Sequence, residues 1–359
     1  MAGVYIAYPF CSQKCTFCNF ASGVFSPDSR RRYEEALLNE LRARSWTSPP
    51  DTLYFGGGTP SLMPRDFLRA VMEAMPSAHL GEATLECAPG TVTPEAAEFW
   101  VASGLDRISL GVQSFSIPEL RLTGRRHTPE IVAREISVLR SAGILNLNID
   151  LIAGLPGQTV DSWRASLDWI ERLSPPHVSV YIFEVDEDSR LGREVVNGGR
   201  RYGAATLPGE DLTAELYEIA VDCLASAGLA RYEISNFARP GFESRHNLKY
   251  WQLEPYFGFG LDAHSFDGLR RWSNPDTLDA YFALPPIEQA AADRAEERFF
   301  VGLRLMRGIE PSAAEWSRFA EPIGKWLDAG MLERDGSLLR LSRHGVLLSN
   351  EIFQDFIHA

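Results

Sequence analysis

Cys11, Cys15 and Cys18 are the residues of this chain best suited to chemistry. They follow the pattern Cys-x3-Cys-x2-Cys and sit just beyond a short apolar strand, Val4–Tyr8. Three thiolates can hold three corners of a four-iron cluster and leave the fourth iron without a protein ligand. Iron–sulfur clusters usually take four cysteines, so the missing one matters: an incompletely ligated metal keeps a position for another ligand. The competing readings are a zinc site or three unrelated cysteines. Zinc would want a fourth Cys or His at short spacing, and the other cysteines, Cys87 and Cys223, are far off in sequence.

A second set of polar and flexible residues recurs at the ends of apolar runs. Gly56-Gly57-Gly58-Thr59-Pro60 lacks the lysine and the spacing of a phosphate loop. It offers a backbone stripped of side chains, open to close approach by a ligand; the competing reading is a tight turn. Glu86 ends an otherwise apolar strand, where an unpaired carboxylate is costly. A cationic ligand or an ordinary salt bridge would relieve it. Gln113, Arg125 and Asp150 form a similar set; Asp150 interrupts the apolar run Leu147–Ile152, whereas Arg125 could equally be a surface helix end. Farther on, Ser244-Arg245-His246-Asn247-Leu248-Lys249-Tyr250-Trp251 gathers a histidine with two aromatics. A histidine can offer a neutral nitrogen to iron and aromatics a flat apolar wall. On composition alone a structural histidine is the stronger reading.

The elements that must position these residues alternate. β-rich runs are expected at Val4–Tyr8, Thr52–Phe55, Thr84–Glu86, Arg107–Leu110, Leu147–Ile152 and Val178–Phe183. Helices are expected at Asp28–Arg44, Arg65–Met75, Pro94–Ala102, Ile117–Leu122, Pro129–Ala142 and Val160–Leu173, with Asp28 and Thr93 as N-caps and Gly104 and Gly143 as stops. Six strand–helix units predict an α/β fold, a partial (β/α)6 barrel short of the closed eight. The candidate residues then fall on one rim, at the C-terminal ends of the strands, where such folds place their chemistry.

Beyond about residue 205 the pattern changes. An α+β extension over 206–290 is expected to hold helix Asp211–Ala227, a short strand Arg231–Ile234, and an aromatic- and glycine-rich segment from Ser235 to Phe266. Residues 291–359 read as a winged-helix-like module: helices Glu296–Met306, Ser312–Phe319 and Pro322–Ala329, a hairpin about Asp335-Gly336, and a final helix Gly345–Ile357. The expected division is thus 1–205, 206–290 and 291–359.

Bulk properties narrow the class. At 359 residues and 45% hydrophobic content the chain can bury a large core. No apolar run of about 18 residues predicts a membrane span, and no signal peptide precedes the first strand. Clustered thiols without a disulfide framework fit a reducing cytoplasm. A net charge of −13 argues against a sequence-independent grip on nucleic acid.

The cysteine pattern resembles that of the radical S-adenosylmethionine (SAM) superfamily. Over nearly its whole length the chain resembles the family of oxygen-independent coproporphyrinogen III oxidases and their heme-chaperone relatives. The likeness rests on Tyr5 through Phe20, Tyr54–Ser61, Gly111–Phe115, Asn148–Ile152, Gly154–Thr159 and Tyr232–Ala238, running on to His246–Trp251. It implies a [4Fe-4S] cluster on Cys11, Cys15 and Cys18, with the amino and carboxylate groups of SAM on the open iron. It also implies a SAM pocket formed by Tyr5, Phe17, Gly57, Gly58, Thr59, Glu86, Gln113, Arg125 and Asp150. His246, Tyr250 and Trp251 match the His-Asn-x-x-Tyr-Trp motif associated with heme in the chaperones. Asn19-Phe20 follows Cys18 where the oxidase carries a further cysteine, and only ten residues precede Cys11, too few for the oxidase's N-terminal extension. The resemblance therefore implies a heme chaperone that binds cluster, SAM and heme and delivers heme to acceptor proteins. The alternative is an oxidase of porphyrin biosynthesis that decarboxylates coproporphyrinogen.

Overall fold

A computed structural model describes residues 1–46, 48–76, 80–283 and 287–357. Its first half consists of β1 (Gly3–Tyr8), α1 (Pro27–Ala43), β2 (Thr52–Gly57), α2 (Arg65–Ala74), β3 (Glu82–Cys87), α3 (Pro94–Ala102), β4 (Arg107–Gln113), α4 (Ile117–Leu122), α5 (Pro129–Ser141), β5 (Asn146–Ala153), α6 (Val160–Leu173) and β6 (His177–Ile182). Strands β1 to β6 pair in parallel and in sequence order. This is the expected partial (β/α)6 barrel. Each helix starts where its local chemistry directs. Thr93 caps α3 as expected, its hydroxyl accepting the Ala96 amide, whereas α1 is capped by Ser26 rather than Asp28, with Pro27 supplying the first helical turn.

The sheet separates two environments by simple alternation along each strand. Val4, Ile6, Leu53, Phe55, Leu85, Ile108, Leu110, Leu147, Ile149, Val178 and Val180 are fully buried and form the apolar layer. Their neighbours Tyr5, Tyr54, Thr84, Glu86, Arg107, Ser109, Asn148, Asp150, His177 and Ser179 occupy the alternate positions, and the strand register lines them up across the sheet. The apolar half is a conventional core. The other half is a buried polar lining, which must be hydrogen-bonded or be waiting for a ligand.

The second half continues the same sheet at both edges. After α7 (Arg190–Val196) and α8 (Glu210–Ser226) come β7 (Ala230–Arg231) and β8 (Asn236–Ala238); β8 pairs antiparallel with β6, and β7 antiparallel with β8. Helix α9 (Arg245–Trp251) follows, then β9 (Tyr256–Phe259), which pairs in parallel with β1. The strands β10 (His264–Phe266) and β11 (Arg270–Ser273), helix α10 (Leu278–Phe282) and β12 (Ala290–Ala291) complete a 12-stranded sheet of order β12-β11-β10-β9-β1-β2-β3-β4-β5-β6-β8-β7. The aromatic segment from Ser235 thus contributes strands that sequence patterning did not indicate. The expected strand Arg231–Ile234 shrinks because Tyr232 and Ile234 turn their amides to Asn236 and Arg304.

The C-terminal module comprises α11 (Arg294–Phe300), α12 (Ala313–Arg318), α13 (Ala320–Asp328), the hairpin β13 (Leu332–Asp335) and β14 (Leu338–Leu341), and α14 (Ser349–Gln354). The expected helix Glu296–Met306 breaks after Phe300 into a 3-10 turn, Gly302–Arg304. The final helix is shorter than expected, Ser349–Gln354, and follows a turn in which Gly345 packs against the Met331 carbonyl. No helix among the described residues is long and apolar enough to cross a membrane.

Candidate functional site

A cavity of about 480 Å³ opens at the C-terminal ends of the barrel strands. Cys11, Cys15 and Cys18 lie along it, on the loop that leaves β1, and none of them is in a disulfide. The cavity wall also carries Phe17, Gly57, Gly58, Thr59, Glu86, Gln113, Arg125 and Asp150. Eleven of the residues singled out from sequence therefore converge on one space. Arg125 belongs to this wall and not to a surface helix end, its guanidinium lying near Gly111.

The site holds charge and unsatisfied polarity in excess of what the protein itself neutralises. Burial pushes the Glu86 carboxyl up to about 7, and the nearby Asp150 pushes the same way. Tyr54 donates to Glu86 at 2.9 Å, while Ser109 and Asn148 donate to Asp150 at 3.1 and 2.7 Å. Burial raises Asp150 as well. Gln113 Oε1, Arg125 Nε and His127 Nε2 are buried with no hydrogen-bond partner. Gln113 also adopts φ 71°, a left-handed conformation unusual for a side-chain-bearing residue, where the β4–β5 register shifts. Strain and orphaned polar atoms gathered in one concave space are the marks of a ligand site.

The donor set fits the two groups that sequence suggested. Burial raises the Cys11 thiol, with Thr59 and Ser22 hydrogen bonds opposing it; a bound metal would deprotonate such a thiol outright. Among the described residues no three His, Cys, Asp or Glu side chains gather as for a single ion. A cluster asks for something else, one thiolate at each of three irons. Two buried acids whose pKa values burial raises suit a ligand carrying ammonium and sulfonium charge.

The glycines have a packing role that sequence did not reveal. A Cβ at Gly58 would stand 2.7 Å from the Pro9 carbonyl carbon, and one at Gly56 would stand 2.7 Å from the Tyr5 hydroxyl. Gly57 is needed for its φ of 107°. Cys87, far from the motif in sequence, lines the cavity as a buried thiol. Ser109, Asn148 and Tyr181 were missed, although the i, i+2 spacing of Asn148 and Asp150 marks one face of an apolar strand.

Tyr5 is not on this wall. It lines a second cavity of about 410 Å³, together with Tyr250 and Tyr256, and stacks on Tyr54 at 5.9 Å. The two cavities share Phe20, Ser22 and Gly57.

The His246 motif lies at the opposite end of the barrel. His246 is completely buried beneath the first residue of β2, and its Nδ1 and Nε2 engage Thr52 Oγ1 at 2.9 Å and Tyr250 Oη at 2.8 Å. Burial, aided by Lys249, lowers its pKa to about 3, so the ring is neutral. Glu82 accepts the amides of Arg245 and His246 at 3.1 and 3.0 Å and anchors the start of α9. Lys249 is buried against Asp51 and Glu254 at 3.0 and 2.9 Å. Trp251 packs under the Arg304 guanidinium. His246 and Trp251, the expected heme contacts, line neither of these two cavities, and both imidazole nitrogens are engaged within the protein. The motif closes the bottom of the barrel.

A hydrogen-bonded chain joins the two ends. Asn148 accepts from His177 Nδ1 at 2.6 Å while donating to Asp150; His177 Nε2 meets the Tyr232 hydroxyl at 2.9 Å, which accepts the Ser244 amide at the N-cap of α9.

Comparison with known proteins agrees with this geometry. Residues 5–170 match the model of the radical SAM superfamily, and residues 289–348 that of the HemN C-terminal domain. The heme chaperone HemW of Lactococcus lactis subsp. lactis is 32% identical, over 98% of this chain and 96% of its own. The chain belongs to the HemW family of radical SAM proteins. HemW of Mycobacterium tuberculosis is 34% identical over 99% of this chain and 94% of its own. The solved structure of coproporphyrinogen III oxidase (HemN) from Escherichia coli, a radical SAM enzyme, superposes with a TM-score of 0.84 at 22% identity. It covers 99% of this chain and 89% of that one, a likeness of fold.

Proposed function

We propose that this HemW-family chain is a cytoplasmic heme chaperone that carries a [4Fe-4S] cluster, binds SAM, and delivers heme to acceptor proteins. The observation that carries the reading is the upper cavity, where three free thiols face a wall of buried, incompletely partnered polar groups. Cys11, Cys15 and Cys18 would hold the cluster. Glu86 and Asp150 would take the positive groups of SAM, Gln113 and Arg125 its polar edge and carboxylate, and Phe17 its flat base. When bound, the cluster supplies an open iron and one-electron chemistry. The chain's own part is to orient the ligand and exclude water.

The oxidase reading shares the cavity but not Asn19-Phe20, which stand where the resemblance places a further cysteine of the oxidase. Heme titration of the anaerobically reconstituted protein, beside product analysis with coproporphyrinogen, SAM and a reductant, separates the two. Stoichiometric heme binding without protoporphyrinogen formation is the expected result. Turnover of coproporphyrinogen would overturn the proposal.

A further inference from the structure

Asp150 is held by a row of polar side chains that reaches farther than the cavity wall. The register of the parallel strands sets Ser109 of β4, Asn148 of β5 and His177 of β6 side by side, with Ser179 beside Asp150. Ser109, Asn148, His177 and Ser179 are all buried, so each must find its partners within the protein. His177 lines neither cavity, and the site as described so far gives it no part in binding.

The hydrogens of this row follow from the chemistry of each group. Burial, with the Arg107 guanidinium nearby, holds the His177 pKa well below its ordinary value, so the ring is neutral and carries one N–H. Asn148 Oδ1 lies 2.6 Å from Nδ1 and can only accept, so the proton sits on Nδ1. Nε2 is then bare and accepts the Tyr232 hydroxyl at 2.9 Å, whose oxygen takes the Ser244 amide at 3.2 Å. With its oxygen on His177, the Asn148 amide turns its nitrogen to Asp150 Oδ1 at 2.7 Å and to Ser109 Oγ at 2.8 Å. Ser109 in turn donates to Asp150 Oδ2 at 3.1 Å, so each carboxylate oxygen receives a donor. Ser179 also donates to Asn148 Oδ1, at 3.2 Å, but a hydroxyl can turn to accept instead and does not fix which way an amide faces.

We propose that His177 is a positioning residue of the SAM site: its Nδ1–H locks the Asn148 amide with the nitrogen toward Asp150, and so holds that carboxylate in place for a cationic group of the ligand. The proposal rests on the reading of the upper cavity as a SAM site. Without that N–H the amide is free to rotate half a turn, and its oxygen would face a carboxylate oxygen that also only accepts. Such a contact repels. The acid would swing away or take up a proton, and either change weakens its hold on a cation.

The test is calorimetric titration of the reconstituted protein with SAM, for wild type, Asp150→Asn, His177→Phe, His177→Asn and Tyr232→Phe, with cluster iron and thermal stability measured on each. His177→Phe should bind SAM about tenfold more weakly, the scale on which a group behind a metal ligand matters. His177→Asn puts an amide N–H where Nδ1 stands and should recover most of that loss. Tyr232→Phe strips the hydroxyl from Nε2 but leaves Nδ1 on Asn148, so stability should fall while SAM affinity stays at wild type. A merely structural His177 predicts otherwise: affinity would fall with stability in His177→Phe and Tyr232→Phe alike, and His177→Asn would rescue nothing. Should His177→Phe fail to fold, Asn148→Leu interrupts the same row one step nearer Asp150 and should show the same loss. Wild-type affinity in His177→Phe or Asn148→Leu, while Asp150→Asn binds weakly, would overturn the proposal and leave the SAM reading standing. Unchanged affinity in Asp150→Asn would remove that acid from the SAM site and the proposal with it. A wild type that binds no SAM would overturn both.

Discussion

The two ends of the barrel look alike in sequence, each a short motif of reactive residue types, and differ in how far the protein satisfies them. At the upper end Gln113, Arg125 and His127 keep buried atoms without partners, and burial raises two acids, Glu86 and Asp150, that share the cavity. At the lower end both nitrogens of His246 are bonded, Glu82 accepts two amides of α9, and Lys249 has two carboxylates. Unmet polarity marks where a ligand belongs, while met polarity marks a plug. A bonded polar cluster stabilises one arrangement, although Trp251 Nε1 at this lower end is also buried without a hydrogen-bond partner.

The largest contrast is expected from Cys15→Ala. Iron and sulfide analysis after anaerobic reconstitution should find the cluster lost while circular dichroism reports an intact fold, because the cysteine loop lies outside the barrel core. Full cluster content in that variant would break the upper half of the comparison. His246→Ala should do the opposite, lowering stability by about 3 kcal/mol through a buried void and unpaired Thr52 and Tyr250 hydroxyls. Denaturant titration measures this, and cluster content should stay at wild-type levels.

Glu86→Gln sharpens the upper end further. It keeps a partner for Tyr54 but removes the charge, and SAM affinity by calorimetry should fall by about 1.5–3 kcal/mol, roughly ten- to a hundredfold. Unchanged affinity would move the cation-binding role away from Glu86. A smaller effect is expected from pH. Glu86 rises from 4.5 unfolded to about 7 folded, so it favours the folded apo-protein at low pH and that contribution fades as pH climbs through about 7. SAM, a cation, should bind more tightly over the same rise and release a proton. His246 falls from 6.5 to about 3, so its contribution is present above pH 6.5 and is lost as pH falls toward 3. Thermal melts of Glu86→Gln and His246→Ala against pH should therefore differ from wild type in opposite directions.

The upper site was largely legible because its chemistry is written locally. Cys11, Cys15 and Cys18 share one loop, and Glu86, Gln113 and Asp150 each sit at or near a strand's end, so the β/α repeat alone gathers them. The rest of the polar lining was concealed by short runs dominated by apolar residues, with only the alternation Asn148-Ile149-Asp150 to mark it. The lower end was not. A histidine beside tyrosine and tryptophan reads the same in a pocket or in a plug; its partners Thr52 and Glu82 lie more than 160 positions away, and only the fold brings them together. Strands β9 to β11 escaped notice for a related reason: they are three or four residues long and held by pairing to β1 and to one another.

The central claim is that the upper cavity presents an open cluster to SAM. Electron paramagnetic resonance of the reduced, reconstituted protein tests it most directly, recorded before and after SAM is added. The account predicts a four-iron signal whose g-values change on SAM addition, and loss of that change in Glu86→Gln at SAM concentrations that saturate wild type. A reconstituted four-iron signal indifferent to saturating SAM would contradict it.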